Sequence, residues 1–405
     1  MFFRALTCAL AGACVAVPVL HAATVSGVAL EQDPATGAVS VTYTLDEPAI
    51  VTVDVRTNRG DDVWVTVGAD KLKRIYGEAN KLVTAVNTPV TAGWRLDDAF
   101  PATLIPSAKA VVTAWSVTAP PPYMAINLTD PDVVRYYVSE KALPYPASHS
   151  LYKTEWLLMR RIPAAGVKWR MGAGENVRTV TLTEDYYIGV FEVSIGQWLR
   201  CGLEKANLTT YTLANALRPA NQLKYNFLRG SPDDGINWPE TGHRVKETSP
   251  LGVLRGKIGI EVDLPTEAQW EFACRAGTYS ETYDGGVASE AFASANGWYG
   301  LSAWTDISEV GHFAPNPWGL YDMYGSMLEW CLDWWNASPD ADDTENPMGM
   351  ASSSNGTRIQ RSCGWNNEAY SHMVTDYFPK GKPDNAYLTY GVRLVAPCRA
   401  PAKDK

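Results

Sequence analysis

The stretch from Leu264 to Glu329 constrains the chain most, because its two ends obey different physics. Its start reads as a self-contained helix. Thr266 can cap the first turn, Gln269 three residues on completes a capping box, and Gly277 is placed to stop the helix. Trp270, Ala273, Cys274 and Gly277 then share one face, small enough at one end for another backbone to come close. The far end, Gly319 to Trp330, is turn-rich and carries oxygen donors at Asp322 and Glu329 that hydrophobic packing does not require.

A chain of 405 residues suggests two domains. Residues 1–22 read as a secretory signal peptide, with Arg4, an apolar run from Ala5 to Leu20 and a cleavage site at Leu20-His21-Ala22. A membrane anchor is disfavoured because the run is short and holds Pro18. No later apolar stretch is long enough to span a bilayer, so a secreted or periplasmic protein that does not cross the membrane is expected. The net charge of −9 with no basic stripe argues against nucleic acid as a partner.

After processing the cysteines are Cys201, Cys274, Cys331, Cys363 and Cys398. This odd set leaves at least one thiol unpaired or joined to another chain in an oxidising compartment, and the pairing is open. No Cys-x-x-Cys pair supports a zinc ribbon or a thioredoxin-type site. His149, His243, His312 and His372 offer no helical i, i+4 pair for an iron site.

Residues 23–120 alternate with period two. Val39, Val41, Tyr43 and Leu45 face one way and Ser40, Thr42 and Thr44 the other; Val51, Val53 and Val55 repeat the pattern. Short strands at this spacing predict an all-β sandwich of immunoglobulin or fibronectin type, acting as spacer or docking module. Ala119-Pro120-Pro121-Pro122 marks a boundary, residues 121–155 read as an irregular connector, and residues 156–398 form the second domain. That domain holds 12 of the 15 tryptophans, which suits an α+β, loop-rich unit where large side chains fill space between loops. Ser194 with Gln197 forms a second capping box.

The two ends of the Leu264–Trp330 stretch, with Arg361-Ser362-Cys363-Gly364-Trp365-Asn366-Asn367 and Tyr390-Gly391-Val392-Arg393-Leu394-Val395, closely resemble the signature of the formylglycine-generating enzyme family, also called the sulfatase-modifying factor family. The resemblance implies a C-type-lectin-like fold. It also implies a calcium loop whose ligands, carried over by position, are Asp322, Gly325, Met327 and Glu329, the two middle ones through backbone oxygens. Calcium takes six to eight oxygen ligands, which such a loop can aim at one point. Alternatively, Asp322 is a turn residue and Glu329 a buried partner for an arginine.

Aerobic members of the family bind copper(I) with two cysteines and convert a sulfatase cysteine to formylglycine, which makes an unfolded sulfatase the implied protein substrate. Here the first copper position is Asn367, and the second, read without a gap, is His372. Neither replaces a thiolate. Cys363, two residues before Trp365, is the remaining candidate, and with His372 it could bind copper weakly or act as a nucleophile. The expectation is therefore a calcium-stabilised scaffold that binds a peptide or glycan. The alternative is an oxygen-dependent oxidoreductase with a rearranged active site.

Overall fold

A computed structural model of the chain describes residues 23–33, 35–58, 60–68, 75–95, 107–130, 133–172, 174–203, 211–287, 289–336, 344–366 and 380–398. The proposed signal peptide lies outside the described residues. The first part is all strand: β1 (Val25–Gln32), β2 (Ala38–Leu45), β3 (Ala49–Asn58), β4 (Trp64–Thr66), β5 (Tyr76–Gly77), β6 (Lys81–Val83), β7 (Val90–Arg95) and β8 (Ala108–Trp115). They form two sheets, one ordered β1-β2-β7-β5 and the other β4-β3-β6 with β8 also paired to β3. The alternation read from the sequence is the burial pattern: Val39, Val41, Tyr43 and Leu45 of β2 meet Val51, Val53 and Val55 of β3 in one shared core.

The rest of the chain is mostly sheet with short helices, as fits a C-type-lectin-like domain. It runs through β9 (Tyr123–Asn127), β10 (Val134–Tyr137), α1 (Ser150–Thr154), β11 (Trp156–Ile162), β12 (Val167–Met171), β13 (Arg178–Leu182) and β14 (Tyr186–Gly189). Then come α2 (Ile195–Arg200), α3 (Tyr225–Arg229), α4 (Pro250–Ile258), α5 (Glu267–Arg275) and α6 (Glu290–Asn296). The chain closes with β15 (Leu328–Trp334), β16 (Thr344–Glu345), β17 (Arg358–Arg361), β18 (Lys380–Gly381), β19 (Tyr390–Gly391) and β20 (Val395–Pro397). A five-stranded sheet ordered β10-β9-β11-β14-β20 brings the end of the chain back beside its start, and a second sheet ordered β18-β17-β15-β19 carries the candidate site.

The stretch expected to be an irregular connector therefore supplies two strands of the five-stranded sheet. Tyr123 to Ile126 is buried on both faces, and such a short continuous apolar run shows no period to read. Both capping boxes form as the sequence implied, Thr266 with Gln269 on α5 and Ser194 with Gln197 on α2. The helix α5 ends differently from its expectation. Ala276, not the glycine, takes the first left-handed position at φ 48°, and Gly277 follows at φ 88°. Nor is α5 one-faced: besides Trp270, Ala273 and Cys274 it buries Glu267, Glu271 and Arg275. Those charges are paired, Glu271 with Arg275 and Arg361, and Glu267 with Arg178 at 3.3 Å. Among the described residues no helix is long and apolar enough to cross a membrane.

Candidate functional site

The loop before β15 is held in place from α5. Buried Asn316 donates through Nδ2 to the carbonyls of Ala273 and Cys274 at 2.9 and 3.2 Å, while its Oδ1 accepts from the backbone of Trp318 and Leu320. The loop thus caps the end of α5. Asp322, Gly325 and Ser326 all adopt positive φ, so the chain turns tightly three times in five residues. Gly325 has a further reason: a Cβ there would lie 2.5 Å from the Trp298 carbonyl oxygen.

Four ionisable side chains meet beneath this loop. Arg393, between β19 and β20, is fully buried, and its donors are used up. Its Nη2 reaches Glu329 Oε1 and the Tyr321 carbonyl, both at 2.8 Å; its Nη1 reaches the Gly189 and Val190 carbonyls; its Nε faces both oxygens of Glu329. Glu329 also accepts from Trp270 Nε1 at 2.5 Å, which ties α5 to β15. Glu192, just after β14, accepts from Ser326 Oγ at 2.8 Å and from the Met327 amide at 3.0 Å. Asp322 accepts from the Gly311 amide through Oδ2, and its buried Oδ1 has no partner among the described residues.

Three carboxylates thus surround one guanidinium. Burial, then the charges of Asp322 and Glu329, pushes Glu192 well above the ordinary carboxylate range. Burial likewise lifts Asp322 to about 6, against the opposing pull of the Gly311 amide, Arg393 and Lys153. Lys153 is itself buried and held by Glu309 at 2.8 Å and by the Gly311 carbonyl at 3.3 Å.

The orphaned Oδ1 of Asp322 is open to a proton or to a cation. Among the described residues no three His, Cys, Asp or Glu side chains form a ready-made metal cage. An ion would therefore draw on backbone carbonyls and water, as calcium does. Of the four expected ligands, Glu329 already shares its carboxylate with Arg393, the Gly325 carbonyl accepts from Ser362 Oγ at 2.9 Å, and Met327 lies fully buried in the same loop.

Burial raises the thiols of the second domain. Cys363 is fully buried, and burial pushes its thiol up to about 12. Cys201 and Cys274 are likewise raised to about 12, and Cys331 goes well above its ordinary value, each with burial as the leading cause. The five described cysteines are free of disulfides. A buried thiol must give up its proton before it can ligate a soft metal or attack, and burial raises the cost of that step. His372 and Asn367 lie outside the described residues. Around Cys363 the closing motif is locked to the loop: the Trp365 amide donates to the Ser326 carbonyl at 2.8 Å, and its indole N–H donates to the Leu388 carbonyl at 3.2 Å.

A second buried ion cluster escaped the sequence. Asp263 is bonded by Arg229 through Nε at 2.8 Å and Nη2 at 3.0 Å, contacts His243 Nδ1 at 2.9 Å, and lies 3.3 Å from Arg255. Burial alone would raise this carboxyl, but Arg229, the His243 hydrogen bond and Arg255 outweigh it and hold it at about 2.

A family model described as the sulfatase-modifying factor enzyme 1-like domain matches residues 159–397. Over 99 residues the chain is 36% identical to a formylglycine-generating enzyme of Bos taurus, covering 22% of this chain and 26% of that one. Over 239 residues it is 32% identical to the serine/threonine-protein kinase pkn1 of Chlamydia pneumoniae, covering 56% of this chain and 35% of that one. The chain therefore spans only a quarter to a third of the length of these curated relatives. Among solved structures, Treponema denticola variable protein 1 overlays with a TM-score of 0.43 at 22% identity, covering 60% of this chain and 95% of that one.

Proposed function

Because the chain belongs to the sulfatase-modifying factor enzyme 1-like family, we propose that it is a binding member of that family that works without copper-cysteine catalysis. The observation that carries this reading is the burial of Cys363: the one cysteine in the closing motif is fully buried, and burial pushes its thiol up to about 12. The copper chemistry of the family needs two thiolates, and the positions that would supply them are Asn367 and His372. Binding would use the rim around Trp365, where Tyr387 and Leu388 stand more than two-fifths exposed, and would engage a peptide or glycan. Aromatic and aliphatic groups left in water at such a rim are what a binding surface offers.

Calcium belongs to the same proposal. Asp322, with the carbonyls of Gly325 and Met327 and the Glu329 carboxylate to which Arg393 also donates, would hold the ion and relieve the excess negative charge beneath the loop. Export by the leader at residues 1–22 would deliver the protein to a calcium-containing compartment. The N-terminal pair of sheets would act as a spacer of immunoglobulin or fibronectin type.

The competing reading, an oxygen-dependent oxidoreductase that makes formylglycine with a rearranged site, is favoured by the resemblance to the Bos taurus enzyme. A turnover assay by mass spectrometry separates the two. The full chain would be given copper(I), oxygen, a reductant and a peptide carrying Cys-x-Pro-x-Arg, with Cys363→Ser alongside. No formylglycine from folded protein is the expected result. Product that vanishes in Cys363→Ser would overturn the proposal.

A further inference from the structure

A cleft of about 840 Å³ lies between the N-terminal sheets and the second domain, and it shares no lining residue with the loop before β15. We propose that this cleft is a second binding site and that it takes an acidic oligosaccharide of two or three rings. The inference does not depend on the function proposed for the Trp365 rim. The volume falls within the range of about 300–1,000 Å³ found for ligand pockets.

The two walls differ in chemistry. One is the outward face of β3 and β8, where Thr52, Asp54, Arg56 and Thr113 line the space. Outward faces of antiparallel sheets are polar because they ordinarily meet water, so this wall brings hydroxyl and charged groups that hydrogen-bond. The opposite wall is aromatic: Tyr137, Tyr145 and Trp156 border the space, with Val138, which is 41% exposed, at their side. A pyranose ring has the matching two-sided character, with hydroxyls at its edge and a C–H face that packs on aromatic rings.

Charge selects among sugars. Asp54 is already spent, since its Oδ2 accepts from Arg56 Nε at 2.7 Å and from Thr66 Oγ at 3.1 Å. Arg135 and Lys141 also line the cleft, and among the described residues neither is paired with a carboxylate; Arg135 donates only to the Val134 carbonyl, at 3.1 Å. The described lining of the cleft therefore carries a cationic surplus, Arg56, Arg135 and Lys141 against Asp54, in a chain of net charge −9. A guanidinium and an ammonium beside an aromatic wall suit a carboxylate or sulfate borne on a sugar ring. An extended peptide is less well served. The outer edge of β10 is closed by the N-terminal part, the Tyr136 amide donating to the Asn80 carbonyl at 2.8 Å, so that position is not free to pair with an added strand.

Isothermal titration of the full chain with tri-galacturonate, the uncharged trigalactoside of the same linkage and tri-glutamate tests the proposal. Tri-galacturonate should bind at least about tenfold more tightly than the uncharged sugar, and Lys141→Ala and Arg135→Ala should each weaken it by about tenfold. Lys141 is exposed, so its variant should keep the parent melting temperature, and Asp322→Asn, at the other site, should leave the affinity unchanged. No binding of tri-galacturonate, equal affinity for the charged and uncharged sugars, an unchanged affinity in Lys141→Ala and Arg135→Ala, or tighter binding of tri-glutamate would each overturn it.

Discussion

Around Asp263, two guanidiniums and an imidazole face one carboxylate, whereas around Arg393 three carboxylates face one guanidinium. Both clusters centre on fully buried groups of one domain, yet their carboxyl groups move in opposite directions: Asp263 is held at about 2, and Asp322 is raised to about 6. Burial acts alike on both, so the sign is set by the neighbours. The Asp263 cluster is complete as a structural joint between α3, α4 and the start of the Leu264 stretch. The cluster at Arg393 is left with a negative surplus and an unpartnered oxygen at Asp322, which invites a proton or a cation.

The largest expected effect comes from removing the centre of the acidic cluster. Arg393→Met strands Glu329 and three backbone carbonyls, and urea denaturation should show a loss of about 3–5 kcal/mol. Adding Glu329→Gln should recover part of that loss, because the stranded charge is gone. Next comes Asp263→Asn. The folded pKa of Asp263 lies below its unfolded value of about 3.9, so its contribution is full above that pH and is lost as pH falls through 2. The contribution should be about 2–3 kcal/mol, and the variant should lack that part of the acid dependence.

A smaller effect of opposite sign is expected at Asp322. In chelator its folded pKa of about 6 exceeds the unfolded value, so the folded state holds the proton more tightly, and stability should fall as pH rises from the unfolded pKa through 6. Asp322→Asn should therefore be neutral or stabilising by about 1 kcal/mol near neutral pH in chelator, the reverse of Asp263→Asn. Destabilisation of both variants alike would erase the distinction between the clusters. The smallest signal is chemical: burial raises both thiols, so access alone should let iodoacetamide label half-buried Cys398 before buried Cys363 in the folded protein, as read by peptide mass.

What the sequence shows and hides follows the range of the interactions. Capping boxes at Thr266 and Ser194 are local, and the alternation in β2 and β3 is periodic, so both are legible in the order of residues alone. The strand β9 is not, because a run buried on both faces carries no period. At the site, Asp322 and Glu329 stand out as acids in a turn-rich loop, and Arg393 stands in a recognisable string without its role being visible. Glu192 escapes sequence reasoning altogether. It lies more than a hundred residues before the loop it bonds, beside strand β14, with only its charge within an apolar run to mark it. The Asp263 cluster is hidden for the same reason, since Arg229 and His243 come from an irregular stretch with no pattern of its own.

The most direct test of the surplus at Arg393 is thermal melting of the full chain near pH 7.5, first stripped with chelator and then with calcium added. A cation taken up beneath the loop should raise the melting temperature by about 5 °C, and Asp322→Asn should remove the rise while remaining folded. Identical melting with chelator and with calcium would contradict the account and leave protons, held by Glu192 and Asp322, as what neutralises the cluster.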